Sequence, residues 1–168
     1  LPGSDIWAVN HAEGRRTKVD RETAALVREA LRYCSKSGGL FDITLAPLAR
    51  LWNFHTSHVP SESDVARALR RVGWQRVDAT EDTVIVTDPE AEITLGGIAK
   101  GYIADRVRDL LVDQGVRDAF ISLGGNVVTM GRSPHDRPWS IGVRSPDFHR
   151  DQERKRIENE AIARSPHG

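Results

Sequence analysis

The chain has a single cysteine, Cys34, so it can form no internal disulfide and no cysteine metal cluster. It has no excess of either charge. Its 24 basic and 24 acidic side chains cancel, and no global field draws it toward nucleic acid or an anionic membrane. No apolar run approaches the roughly 20 residues of a membrane span. There is no internal repeat, no low-complexity tract, and no visible signal peptide or lipidation cysteine. Leu1 rather than Met comes first, so the N-terminus reports no compartment. What remains is a globular composition, 39% hydrophobic and 29% charged over 168 residues, long enough to bury a core as one domain. Cys34 falls on the apolar side of a predicted helix and reads as a buried core thiol.

The most informative stretch is Ile93-Thr-Leu-Gly-Gly-Ile-Ala-Lys-Gly-Tyr-Ile-Ala-Asp-Arg-Val107. A short extended run turns through Gly96 and Gly97 into an amphipathic helix. Ile98, Tyr102, Ile103, Val107, Leu110 and Leu111 recur at three- and four-residue spacing, and Gly115 is placed to end the helix. Such a turn collects unpaired backbone N–H groups at a positive dipole end, which favours phosphate, and Lys100 adds a cation in the first helical turn. The spacing matches neither the dinucleotide-binding nor the Walker pattern. Taken alone, it equally describes a tight strand-to-helix turn with a solvated lysine.

Elsewhere, residues 1–10, with Ile6, Trp7 and Val9, read as an edge segment, and residues 11–19 as a polar loop. Asp20 is a good N-cap for a helix through Ala24, Leu26, Val27, Ala30, Leu31 and Cys34, closed by Gly38 and Gly39. Residues 40–54 fit no simple template: Asp42 and Thr44 interrupt an apolar run, and Pro47 suits the first turn of a second helix. A carboxylate there needs a partner. Asp42 reads as capping the following turn through its side chain, a role that leaves ligand contact open.

Residues 55–60 read as a linker. Ser61 or Ser63 opens a helix burying Val65, Ala66, Leu69 and Val72 and ending at Gly73, with Arg67, Arg70 and Arg71 on a solvated outer face. Strands at 74–77 and 83–87 pair, and Asp88-Pro89 marks a turn. Residues 118–131 read as a strand interrupted at Gly124-Gly125, where glycine permits a bulge or close backbone approach. Residues 138–146 form a further short strand, and 148–156 a charged, exposed segment.

Three blocks thus occur in order: Gly39-Leu-Phe-Asp-Ile-Thr with Pro47-Leu and Leu51-Trp-Asn-Phe54; Leu95-Gly-Gly-Ile-Ala-Lys-Gly-Tyr with Asp105; and Ser122-Leu-Gly-Gly-Asn126 followed by Pro138-Trp. Together they resemble the ApbE family, the FAD:protein FMN transferases, from about Ile6 to Pro146. The resemblance implies an α+β fold of the ApbE, T-fold-related type, a mixed sheet with packed helices. It makes residues 1–146 a flavin-transferase domain and 147–168 a charged, divergent or truncated C-terminal segment. The implied reaction is magnesium-dependent transfer of FMN from FAD to a threonine hydroxyl of an acceptor flavoprotein, with AMP leaving. Such phosphoryl transfer rests on positioning and charge neutralisation.

By position, Leu40, Phe41 and Asp42 match the family's flavin-contacting run, and Lys100 a further FAD contact. Thr94 stands at an FAD-contacting position where the family commonly has a carboxylate. The backbone carbonyl at Gly97 matches a magnesium ligand, an oxygen donor suited to that cation. Asp105 reads as a brace against neighbouring backbone, and no catalytic residue is assigned. No nucleic-acid partner is implied.

The departures are as specific. Residues 159–168 faintly resemble the family segment ending in Ala-Thr-Ser-Gly, with Arg164 in place of threonine and Pro166 in place of glycine. The family's His-x-x-x-Asp-Pro-x-x-Gly and Asp-Ala-x-x-Thr blocks are absent from the sequence, as is an N-terminal portion that helps wall the flavin site. His11, His55, His58, His135, His149 and His167 read as loop histidines. The expectation is a chain that retains FAD affinity but transfers FMN poorly; the alternative is a non-catalytic flavin-binding module. Family members are often periplasmic or membrane-anchored lipoproteins, yet no such signal is visible, so the cytoplasm is an admissible compartment.

Overall fold

The computed structural model describes residues 2–52, 59–134, 136–143, 153–157 and 161–162. The chain divides into two compact units, Leu1–Ile98 and Ala99–Gly168. His55, His58, His135, His149, His167, Arg164 and Pro166, with most of the 55–60 linker, lie outside the described residues.

The first unit opens with helix α1 (Asp5–Asn10), not the expected edge segment. Ser4 supplies the reason, its hydroxyl accepting the Trp7 N–H at 3.3 Å, and Asp5 adds a favourable charge in the first turn. Ile6 and Val9, three apart, then share the face turned to the core. Strand β1 (Thr17–Lys18) lies within the expected loop.

Helix α2 (Arg21–Lys36) follows its sequence signals closely. Asp20 caps it through the Glu22 N–H at 2.7 Å. Ala24, Val27, Ala30 and Cys34 are wholly buried along one face. Gly38 and Gly39 adopt φ of 62° and 85°, the left-handed backbone that stops the helix.

Helix α3 (Ala46–Ala49) carries Pro47 in its first turn, and α4 (Glu62–Leu69) is capped by Ser61. The inward face of α4 is not the expected stripe: Ala68 is buried, Ala66 is exposed and Leu69 is half exposed. Arg71, one turn beyond Ala68, pairs with Asp88 and Glu90, which turns that face inward. Arg71 is therefore an ion-pairing residue rather than part of a solvated basic face. Residues 74–76 form a 3₁₀ turn, leading into the hairpin of β2 (Val77–Ala79) and β3 (Thr83–Val86). The sheet order is β1-β3-β2, all antiparallel. Its inner side joins α2, Val9, Ile43 and Ile93 in one core.

The second unit opens with α5 (Ala99–Asp113). Its C-terminal closure is a Schellman motif: Val116 N–H bonds Leu111 C=O and Gly115 N–H bonds Val112 C=O, both at 2.9 Å, with Gly115 at φ 79°. The helix packs on the hairpin of β4 (Ala119–Leu123) and β5 (Asn126–Met130). Ala104, Val107 and Leu111 face Ile121, Val128 and Met130. Ile103 and Leu110, expected in the buried stripe, are 49% and 61% exposed. The small side chain of Ala104 lets the helix approach the sheet, and the contact line follows it.

Gly124 and Gly125, at φ 57° and 97°, are the two central residues of the hairpin turn that pairs Leu123 with Asn126. The expected interrupted strand is thus two strands, joined by the paired left-handed residues that suit their twist. Strand β6 (Trp139–Val143) pairs with β7 (Glu153–Ile157), within the segment that composition reads as exposed and charged, and β8 (Ala161–Ile162) pairs with β5. The architecture is α+β, with helices over small antiparallel sheets.

Candidate flavin-nucleotide site

In the first unit the segment after α2 is anchored at both ends. At its start, Phe41 N–H donates to Ser37 Oγ at 3.0 Å, and the Ser37 hydroxyl donates to the Cys34 carbonyl at 3.1 Å. At its end, Asp42 is 8% exposed and its carboxylate is well partnered. One oxygen accepts Thr44 N–H at 2.8 Å and Thr44 O–H at 2.6 Å; the other accepts Trp74 N–H at 3.1 Å. Thr44, fully buried, accepts Gly73 N–H at 2.7 Å. The side-chain cap on the following turn is present, and the same carboxylate also holds backbone 32 residues away. Leu40, inside the loop that the Phe41–Ser37 bond closes, is 93% exposed.

The Leu95–Ile98 turn lies alongside. Thr94 N–H donates to the Ile43 carbonyl at 2.7 Å, and Ile93 is bracketed by the Asn10 amide, which both donates to its carbonyl and accepts its N–H at 2.9 Å. Within the turn, Ile98 N–H bonds Leu95 C=O at 3.0 Å and Gly96 N–H reaches Thr94 Oγ1 at 3.3 Å. Two of the N–H groups that the sequence suggests for an anion therefore have internal partners.

Gly97 has no left-handed φ. A Cβ there would lie 2.9 Å from Cε2 of Phe41, closer than carbon atoms pack. Phe41, whose ring packs against the core, and Gly97 are thus brought together, and the glycine answers to the ring as well as to any approaching ligand.

In the second unit Lys100 lies in the first turn of α5. Its Nζ is 3.6 Å from where a Gly124 Cβ would be, so the cation sits over the β4–β5 turn. Asp105 pairs with Arg108 at 3.0 Å on the same helix, and among the described residues no bond from it to neighbouring backbone is seen. An open groove of about 750 Å³ between the later turns of α5 and β5 is lined by Asp105, Arg108 and Val128, among others, but by none of the expected site residues.

Among the described residues, no three His, Cys, Asp or Glu side chains are grouped to hold a metal ion. One carbonyl in the Gly97 turn does not make a magnesium site, so the described residues do not fit the ion by themselves. No described helix is long and apolar enough to cross a membrane. Cys34 is buried, and its burial, with the charge of Asp42 nearby, raises its thiol above the ordinary value.

Ser37, Thr44, Gly73 and Trp74 were not singled out as site residues from sequence. Only Thr44 carried a local signal, since Asp-x-Thr is the spacing of a side-chain turn.

The model of the ApbE family matches residues 1–166. Over 148 residues the chain is 39% identical to an FAD:protein FMN transferase of Klebsiella pneumoniae, covering 85% of this chain and 45% of that protein. Another, of Treponema pallidum, is 32% identical over 145 residues, covering 76% and 40%. The crystal structure of the ApbE protein of Thermotoga maritima matches with a TM-score of 0.83 at 30% identity, covering 94% of this chain and 53% of that one. The flavin transferase ApbE of Vibrio cholerae matches with a TM-score of 0.84 at 27% identity, covering 95% and 54%. This chain belongs to the ApbE family. It spans about half the length of the curated relatives it matches.

Proposed function

We propose that this chain is the flavin-nucleotide-binding part of an FAD:protein FMN transferase. In the reaction, a threonine hydroxyl of an acceptor protein attacks the FMN phosphorus of FAD. A phosphoester to threonine forms, the pyrophosphate P–O bond breaks, AMP leaves, and the hydroxyl proton goes to solvent. Leu40, Phe41, Thr94 and Lys100 are assigned to contacts with the flavin nucleotide, Asp42 to the run that carries the first two, and the carbonyl of Gly97 to one of the several oxygen ligands magnesium would need. Magnesium, which the Gly97 carbonyl would not hold alone, would neutralise charge at the pyrophosphate. The names of the curated relatives support the activity, and the order of the three sequence blocks supports the residues.

The observation that carries the reading is Leu40. A leucine 93% exposed, inside a loop closed by a hydrogen bond, is an apolar contact offered to something outside the fold. Burying it against a ligand contributes about 1.5–3 kcal/mol, or roughly ten- to a hundredfold in affinity. Titration with FAD, followed by flavin fluorescence, should show saturable binding that Leu40→Asp weakens at least about tenfold, with an unchanged melting temperature. Wild-type affinity in that variant would remove the run from the site.

A second reading, on which Thr94 in place of the family's usual carboxylate bears, is a flavin-binding module without transfer activity. Incubation with FAD, magnesium and a threonine-bearing acceptor domain separates the two. Covalent FMN on the acceptor, read by in-gel fluorescence and mass spectrometry, means transferase; FAD binding without label means module.

A further inference from the structure

We propose that Asp42 and Thr44 are a positioning pair, serving flavin binding through the backbone they hold rather than through direct contact. The inference rests on the reading of the Leu40 segment given above. The donors are fully assigned. Thr44 N–H and O–H and Trp74 N–H all point at the Asp42 carboxylate, so that group is surrounded by donors and 8% exposed. Because the Thr44 hydroxyl gives its proton to Asp42, its oxygen is left to accept Gly73 N–H. Donation thus runs from Gly73 through Thr44 to Asp42, where it meets a second bond donated by Trp74.

These bonds tie the stretch after Leu40 to residues 73–74, while Phe41 N–H ties the same stretch back to Ser37 at the end of α2. The indole of Trp74 is placed by the same clamp. Its Nε1 lies 3.7 Å from the position of a Cβ on Gly39, directly before Leu40. Leu40 is therefore held outward by a buried polar lock, not by its own packing. Thr44 is wholly buried and cannot touch a ligand, which makes it the informative member of the pair.

The test compares Thr44→Val, Thr44→Ser, Asp42→Asn and Asp42→Asn/Thr44→Val, with two readouts: the FAD dissociation constant and amide hydrogen exchange at Gly73 and Trp74. Thr44→Val keeps the shape but removes the relay. It should speed both amides and weaken FAD binding about tenfold. Thr44→Ser, which retains the hydroxyl, should stay within about twofold of wild type. The double variant should lose no more than the weaker-binding single one, as members of one lock do. Should Thr44→Val not fold, Asp42→Asn carries the test: its amide presents a donor to Trp74 N–H, so weaker FAD binding must come with a faster Trp74 amide.

Fast amides in Thr44→Val with wild-type FAD affinity would overturn the proposal. So would weaker binding in Asp42→Asn while the Trp74 amide stays protected, since the carboxylate would then touch the ligand itself. A wild-type chain that binds no FAD would remove both the proposed function and the positioning role, whereas the other two outcomes leave the function standing.

Discussion

Gly96-Gly97 and Gly124-Gly125 are the same dipeptide, each in a block that resembles the family, yet the fold uses them for different reasons. Gly124 and Gly125 both take left-handed φ, 57° and 97°, so backbone conformation requires them. Gly96 and Gly97 take no such φ. At Gly97 the requirement is space, because the Phe41 ring occupies the volume of a side chain. A glycine pair in sequence therefore marks an unusual need without saying whether that need is conformational or steric.

The comparison is broken most forcefully at Gly97. Gly97→Val drives a branched side chain into the Phe41 ring and should cost about 1–3 kcal/mol, with loss of measurable FAD binding. Urea denaturation should show the midpoint falling. Adding Phe41→Leu should return part of the stability, and if it returns none, the ring is not the obstacle.

At Gly124 the order of substitutions should follow φ rather than size. A Cβ there meets Lys100 Nζ at an ordinary 3.6 Å, so the steric cost is small. Gly124→Ala should lose about 1–2 kcal/mol from the left-handed backbone alone, and the larger Gly124→Asn less, because asparagine visits that region more readily. If asparagine destabilises more than alanine, side-chain volume governs this turn as well.

The smallest effect concerns the anchor shared by α2 and the Leu40 segment. Burial raises the Cys34 thiol pKa in the folded protein. The folded state therefore holds its proton at a pH where the unfolded chain releases it. The stability this contributes is present in full below the unfolded value of about 8.5 and lost as pH rises through the folded value. Melting curves from pH 7 to 10 should decline more steeply for wild type than for Cys34→Ala. Parallel curves would mean the thiol is not insulated. In the native protein a disulfide dye should label Cys34 only as fast as the protein opens.

Much of the local structure was legible in the sequence. Asp20, Ser61, Pro47, Gly38-Gly39 and Gly115 each act where their chemistry suggests, because caps and stops depend on atoms within a few residues. The faces of α4 and α5 were less legible. Ala68 and Ala104 are weak hydrophobic signals, yet they are the buried residues of their helices, since a small side chain lets a neighbouring element cover it. Helix α1 was missed because Ile6, Trp7 and Val9 suit a strand as well as a helix, and Ser4 decided between them.

The order of the blocks along the chain, and with it the family, was in the sequence, because spacing is a property of the chain alone. So was the demand for a partner at Asp42, since an unpaired buried charge is untenable wherever it lies. Which groups answer that demand was decided only by the tertiary structure. Gly73 and Trp74 come to the Asp42–Thr44 pair from about 30 residues away, and Asn10 reaches Ile93 across 83. Backbone N–H and C=O groups are alike at nearly every position. No residue code specifies such a pairing, and only the path of the folded chain brings those atoms within reach.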